Sequence, residues 1–230
     1  MSVMVQEQVQ ERTQEETRSP APGVRMSYEE FLEWCDEDTW AEWVDGEVIV
    51  FSPASTRHQD LADFLVSVLR IYAEARNLGV VCSAPFQMKL ERGREPDVLF
   101  VAREHLSRLK ENYLDGPADL VIEITSPDSI ERDRGRKFVE YEASGVREYW
   151  LIDPLRERAE FYQLDEEGFY RPVSPDVEGV YRSQVVSGFW LKVEWLWQEP
   201  LPSPVRVVAE IAGVDPALTE AFERALRGEE

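Results

Sequence analysis

The sequence predicts an α/β (α+β) fold: a mixed β-sheet flanked by helices, with extra hairpins. Three observations lead there. Residues 55–77 place Leu61, Phe64, Leu65, Val68, Leu69 and Tyr72 at helical spacing. Short apolar runs at 96–101, 119–124 and 146–152 read instead as strands covered on both faces. A second helical segment, 129–144, separates the last two runs, so the central order is helix, three strands, helix, strand, on a mixed sheet.

Taken in order, residues 1–25 read as a flexible tail ending in Ser19-Pro20-Ala21-Pro22-Gly23. A domain is expected over 26–199, followed by a C-terminal extension, 200–230, that carries a helix. Ser27 with Glu30 three residues on predicts a capped short helix, its apolar stripe given by Phe31 and Trp34. The alternation from Trp40 to Phe51 around Asp45-Gly46 predicts a hairpin. Gly79 lies just past the long helix. Val80 to Leu90 then reads as one strand, residues 91–94 as a turn, and Pro96 to Val101 as the next strand. A loop with a short helical piece leads through Leu114-Asp115-Gly116-Pro117 to a strand over 119–124. Ser129 to Ser144 follows as a helix and 146–152 as a strand closed by Asp153-Pro154. Ala159 to Val173 predicts a hairpin, and Val180 to Trp195 one or two short strands around Gly188. Pro200, Pro202 and Pro204 mark a boundary before an amphipathic helix over 216–226.

At 230 residues, 43% hydrophobic and with seven Trp, the chain is long enough for one sizeable domain with a substantial core. It contains no apolar run of membrane-spanning length, and residues 1–20 lack a secretory signal pattern. Cys35 and Cys82 form no disulfide framework, which suits reduced thiols and a cytoplasmic protein. The net charge of −21 argues against a generally basic nucleic-acid-binding surface. Residues 1–25 contribute −1 and residues 201–230 contribute −3, so −17 falls on the central part.

Asp97 and Glu123 carry the chemistry most plainly. Each is a carboxylate set in an almost wholly apolar strand, where an unpaired charge costs several kcal/mol unless a cation offsets it. Two such acids on adjacent strands suit a divalent metal, and hard oxygen ligands suit Mg²⁺ or Mn²⁺. The bland alternative is a pair of strand-end acids in water or paired with Arg. On the following helix, Ile130, Lys137 and Tyr141 fall on one face, so Lys137 could orient or deprotonate a water and stabilise phosphate charge. Its alternative is an ordinary ion pair with Asp133, four residues earlier.

In their order along the chain, Pro96-Asp97, Glu123-Ile124-Thr125-Ser126-Pro127, Lys137, Tyr141 and the segment Gly145 to Pro154 resemble the Uma-type family of restriction-endonuclease-like proteins. That family, formerly a domain of unknown function, is placed in the PD-(D/E)XK nuclease superfamily. Val44-Asp45-Gly46-Glu47 and the segment Ser52 to His58 match its pattern too, and the resemblance covers roughly residues 27–195. It implies a restriction-endonuclease-like fold, with Asp97, Glu123 and the Ile124 backbone carbonyl as metal ligands and Lys137 as the catalytic lysine. The superfamily keeps that lysine two residues after the acid. Here Thr125 stands there, and the resemblance moves the lysine to Lys137. The implied reaction is Mg²⁺-dependent phosphodiester hydrolysis leaving a 5′-phosphate, with DNA as the expected partner and a homodimer as one arrangement that would cut two strands.

Other residues invite two readings each. Glu47 could add a carboxylate or be an exposed hairpin acid. Gln87 could touch a metal-bound water or a base edge, or simply occupy a strand face. His58 could bind phosphate or cap the long helix. His105 has no motif around it. The Trp groups at 34, 40 and 43 and at 190, 195 and 197 fit core or dimer contacts better than base stacking. Two other functions stand beside the endonuclease: a catalytically silent binding or assembly protein on the same fold, and a phosphodiesterase acting on RNA or a small nucleotide.

Overall fold

The computed structural model describes residues 25–35, 41–50, 55–126, 129 and 132–229. Trp40, Ile130, the proposed tail and most of the segment Ser52 to Ser55 lie outside these residues.

Helix α1 (Tyr28–Trp34) opens with the capping box expected of Ser27 and Glu30: Ser27 Oγ accepts from the Glu30 N–H at 3.2 Å, and Glu30 returns a bond to the Ser27 N–H at 2.7 Å. Strands β1 (Ala41–Val44) and β2 (Glu47–Val50) form the hairpin, turning on Asp45 and Gly46 with φ of 52° and 86°. Two consecutive positive φ values match the twist of a two-residue hairpin, which is why Asp-Gly works there. Helix α2 (Thr56–Ala75) starts at Ser55, whose hydroxyl accepts from the His58 N–H. It ends at Arg76, and Asn77 takes the left-handed conformation (φ 54°) expected of a terminating glycine. Gly79 serves another need. A Cβ there would sit 2.1 Å from the Val101 carbonyl oxygen, so only glycine lets the two strands approach.

The segment 80–90, read as one strand, is two. Strand β3 (Gly79–Ser83) and β4 (Gln87–Lys89) are parted at Ala84-Pro85 and belong to different sheets. The expected turn at 91–94 contains β5 (Gly93–Arg94), which folds back on β4. Next come β6 (Val98–Ala102), a 3₁₀ turn (Arg103–Arg108), β7 (Tyr113–Asp115) and β8 (Leu120–Ile124). The predicted helix over 129–144 is resolved into a π-helical turn (Asp133–Lys137) running into α3 (Phe138–Ser144). Strands β9 (Glu148–Asp153), β10 (Arg158–Leu164), β11 (Tyr170–Pro172), β12 (Val180–Arg182) and β13 (Trp190–Lys192) follow. The proline cluster does not simply break the chain. Pro204 occupies the first turn of α4 (Pro204–Ala212), where its missing N–H costs nothing, and α5 (Pro216–Arg227) closes the order.

The main sheet runs β11-β10-β9-β8-β6-β3, parallel only between β8 and β9; a second sheet runs β2-β1-β5-β4-β7. This mixed α/β architecture agrees with the predicted class. Alternation divides the main sheet cleanly. Val98, Phe100, Leu120, Ile122, Trp150 and Ile152 face α2, and Val207 and Ile211 of α4 join the same core. Leu99, Val101, Val121, Tyr149 and Leu151 face the other way, against Met88, Leu114 and Tyr141. The tryptophans at 190, 195 and 197 pack on the first core, and those at 34 and 43 on a small third cluster around Phe31.

Glu148 shows how the loop before β13 is fixed. Its buried carboxylate accepts from Trp150 Nε1, Tyr181 OH, Ser183 Oγ and the N–H groups of Gln184 and Val185, at 2.7–3.1 Å. Burial raises its pKa despite these donors. Removing the acceptor strands several buried donors at once, so Glu148→Ala should lower unfolding free energy by about 3 kcal/mol or more in urea titrations.

Candidate active site

Asp97 and Glu123 meet through strand register. In the antiparallel pair, Val98 faces Ile122, so one step further sets Asp97 opposite Glu123. Glu123 shares the parity of Val121 and points away from α2, towards α3 and the second sheet, whereas Asp97, just before its strand, reaches the first turn of α2. Asp97 Oδ2 accepts the Ile124 N–H at 2.7 Å and lies 3.3 Å from His58 Nε2. His58 therefore sits on one of the groups expected to hold a cation, while its buried Nδ1 has no hydrogen-bond partner among the described residues. Burial works against its charge, but Asp97 raises its pKa above the ordinary histidine value.

Glu123 is buried, and both its donors land on Oε1: Lys137 Nζ at 3.0 Å and Tyr141 OH at 2.6 Å. Lys137 also reaches Glu42 Oε1 at 2.9 Å and Asp133 Oδ1 at 3.5 Å. The π-turn places this ammonium, and Tyr149 OH caps it by donating to the Asp133 carbonyl at 3.1 Å. Such wide turns recur at functional positions. Burial alone would discharge Lys137, yet Glu123, Glu42 and Asp133 hold its pKa well above the ordinary lysine value. A lysine held charged in this way can place a water or stabilise an anion.

The second sheet supplies residues that sequence reasoning did not single out. Glu42 of β1 is fully buried between Lys137 and Arg94 NH1, the latter at 2.8 Å. Arg94 is buried too and reaches Glu140 at 2.6 Å. Glu95, next to the Pro96-Asp97 motif, is buried against Gln87, whose Nε2 donates to it at 2.8 Å and to the Ala41 carbonyl at 3.0 Å. The Gln87 Oε1 has no partner among the described residues. Glu42 did carry a signal: it alternates with Trp43 and shares its strand face with Val44, an odd place for a solvated acid. Arg94 gave none, because Glu91 to Arg94 looks like turn chemistry.

Glu47, by contrast, is exposed on β2 and pairs across the hairpin with Val44. His105 binds Asp119 at 2.9 Å, apart from this cluster. Asp97, Glu123, Ile124, Lys137, Tyr141, His58 and Gln87 are thus brought together with Glu42, Glu95 and Asp133, and Glu47 is not.

The family model described as "Putative restriction endonuclease", Uma2, matches residues 28–194. The chain belongs to that family. One solved structure, described as "a putative nuclease belonging to DUF820 from Anabaena variabilis", aligns with a TM-score of 0.63 at 18% identity. The alignment covers 75% of this chain and 97% of that one, and at this identity it speaks for the fold. No curated protein matches the chain significantly. Among the described residues, no three carboxylate, imidazole or thiol side chains converge into a metal cage, and no helix is long and apolar enough to cross a membrane.

The donor chemistry nevertheless fits a hard cation. Glu123 has its pKa raised, first by burial and then by Asp133, Asp97 and Glu42, against the pull of Lys137. Glu95 is pushed up to about 8, chiefly by burial and then by Glu42. Negative charge in this pocket exceeds what its fixed cations balance, which is the condition a divalent ion relieves. A raised acid pKa means that the folded state holds protons the unfolded chain has released. Metal-free protein should therefore lose stability as pH rises from about 4.5 to about 8. Glu95→Gln should flatten the fall in Tm over that window, as read by calorimetry.

Proposed function

We propose that this Uma2-family chain is a divalent-metal-dependent endonuclease that hydrolyses phosphodiester bonds, with DNA as substrate. The observation that carries the reading is the placement of Lys137: a buried ammonium held 3.0 Å from Glu123, beside the strand pair that sets Asp97 opposite Glu123. Family membership supplies the reaction class, and the oxygen-rich pocket supplies groups suited to Mg²⁺ or Mn²⁺.

In this reading Asp97, Glu123 and the Ile124 carbonyl hold the cation, which polarises a phosphoryl oxygen and acidifies water when bound. Tyr141 and Lys137 fix the Glu123 carboxylate by bonding its Oε1. The Ile124 N–H fixes Asp97 in the same way. Lys137 adds a positive charge where the attacking water and the phosphate meet and stabilises the charge that builds up there. His58, 3.3 Å from Asp97, would compete with the cation for that carboxylate. Outside the pocket, Arg134 and Arg136 are exposed on the same turn as Lys137, a basic edge beside the site on an otherwise acidic chain. Counterion release at such an edge favours a polyanionic strand.

One observation favours the second reading, a silent nuclease fold that binds without turnover. Lys137 is satisfied by three carboxylates and needs no substrate to complete its contacts. The distinction is experimental. Calorimetry with Mn²⁺ should show binding to the wild type that Asp97→Ala abolishes or weakens at least about tenfold. Wild type that binds no metal at millimolar concentration with nucleic acid present rules out the nuclease. Given metal binding, Lys137→Met should abolish cleavage of plasmid DNA. It should also cost about 3–5 kcal/mol of stability, because Glu42, Glu123 and Asp133 lose their shared cation. Retained cleavage in that variant would remove Lys137 from the mechanism.

A further inference from the structure

Helix α5 is docked on the protein by its polar edge. The residues it buries are Thr219 and Glu223, the latter paired with Arg206 of α4. Its apolar side chains face outward: Leu218 is 66% exposed, Phe222 53% and Leu226 66%. Spaced four apart, they form one continuous stripe, edged by the exposed Ala221 and Ala225. An amphipathic helix that contributes so little apolar surface to its own core is built for another surface. It lies beyond residue 194, where the family match ends.

We propose that α5 is a homodimerisation helix whose partner is α5 of a second copy, packed antiparallel across a two-fold axis at Phe222. Two features select a second copy over other occupants. The stripe is symmetric about Phe222, with Leu218 and Leu226 at equal steps on either side, so an antiparallel copy meets Phe222 with Phe222 and Leu218 with Leu226. A two-fold contact requires that self-complementarity. Charge is the second feature. Two copies of a chain with net charge −21 repel over most of their surface. Helix α5 carries two acids, Glu220 and Glu223, and two bases, Arg224 and Arg227, so copies can meet here without like-charge juxtaposition. The balanced charge of the helix on a chain of net charge −21 suits neither a phosphate backbone nor an anionic lipid surface. Twelve residues of helix span about 18 Å. That covers less than the ~800 Å² per partner of a standard interface, so the dimer should form at roughly micromolar concentration.

Sedimentation velocity of the full chain tests this directly. Wild type should shift from 26.6 kDa towards twice that mass as concentration rises from about 1 to about 100 µM. Phe222→Glu should stay monomeric throughout with an unchanged circular dichroism spectrum, since Phe222 is half exposed and outside the core. The register is tested with Cys35→Ser and Cys82→Ser as background. Phe222→Cys should form a disulfide-linked dimer under mild oxidation, and Leu218→Cys should link to Leu226→Cys but not to itself. Wild type that remains at 26.6 kDa overturns the proposal. So does a dimer that survives Phe222→Glu, or one that gives no cross-link at position 222.

Discussion

The ion cluster around Lys137 is the constraint on which the rest of the site depends. A buried ammonium is tolerable only where carboxylates surround it, and buried carboxylates are tolerable only where a cation does. Glu42 comes from the second sheet, Glu123 from the main sheet, and Asp133 and Lys137 from the π-turn. One charge therefore ties together three layers. Arg94 repeats the arrangement one step away by joining Glu42 to Glu140.

This dependence explains what was legible in the sequence. The strands of Asp97 and Glu123 could be read because an acid in a run of apolar residues violates the expected pattern, and such a violation is local. The long helix over 56–75 and the Asp45-Gly46 hairpin were also legible, for they follow from periodicity and from two residues able to adopt positive φ. Lys137 entered by its place in a family-like order of residues. The partners that give it its chemistry did not, since Glu42 and Lys137 are ninety-five positions apart in the chain and no local rule couples them.

The misreadings have equally physical causes. Val80 to Leu90 kept its apolar character across Pro85, so a change of sheet looked like one strand. The π-turn differs from an α-turn by one residue per turn, too little for composition to register, yet it settles where Lys137 points. Pro204 was taken as a boundary because proline usually breaks helices, while at a first helical turn it starts one. Glu47 and Glu42 sit on the two arms of one hairpin, and pattern alone could not say which acid the second sheet would bury. Both acids share one face of the hairpin, and position along it decides: Glu42 lies where Arg94 and Lys137 reach it, and Glu47 lies beside the turn in water.

The order in which the chain emerges adds a consequence to the π-turn. A nascent chain exposing residues up to 136 already contains Glu42, Asp97, Glu123 and Asp133, but not the ammonium that makes burying them tolerable. Until Lys137 arrives and the turn closes, the acids must stay hydrated and the two sheets cannot seal against each other. Closure of the domain and completion of the pocket are thus one event. A half-made chain carries the acids of the pocket, but not the ammonium that lets them be buried.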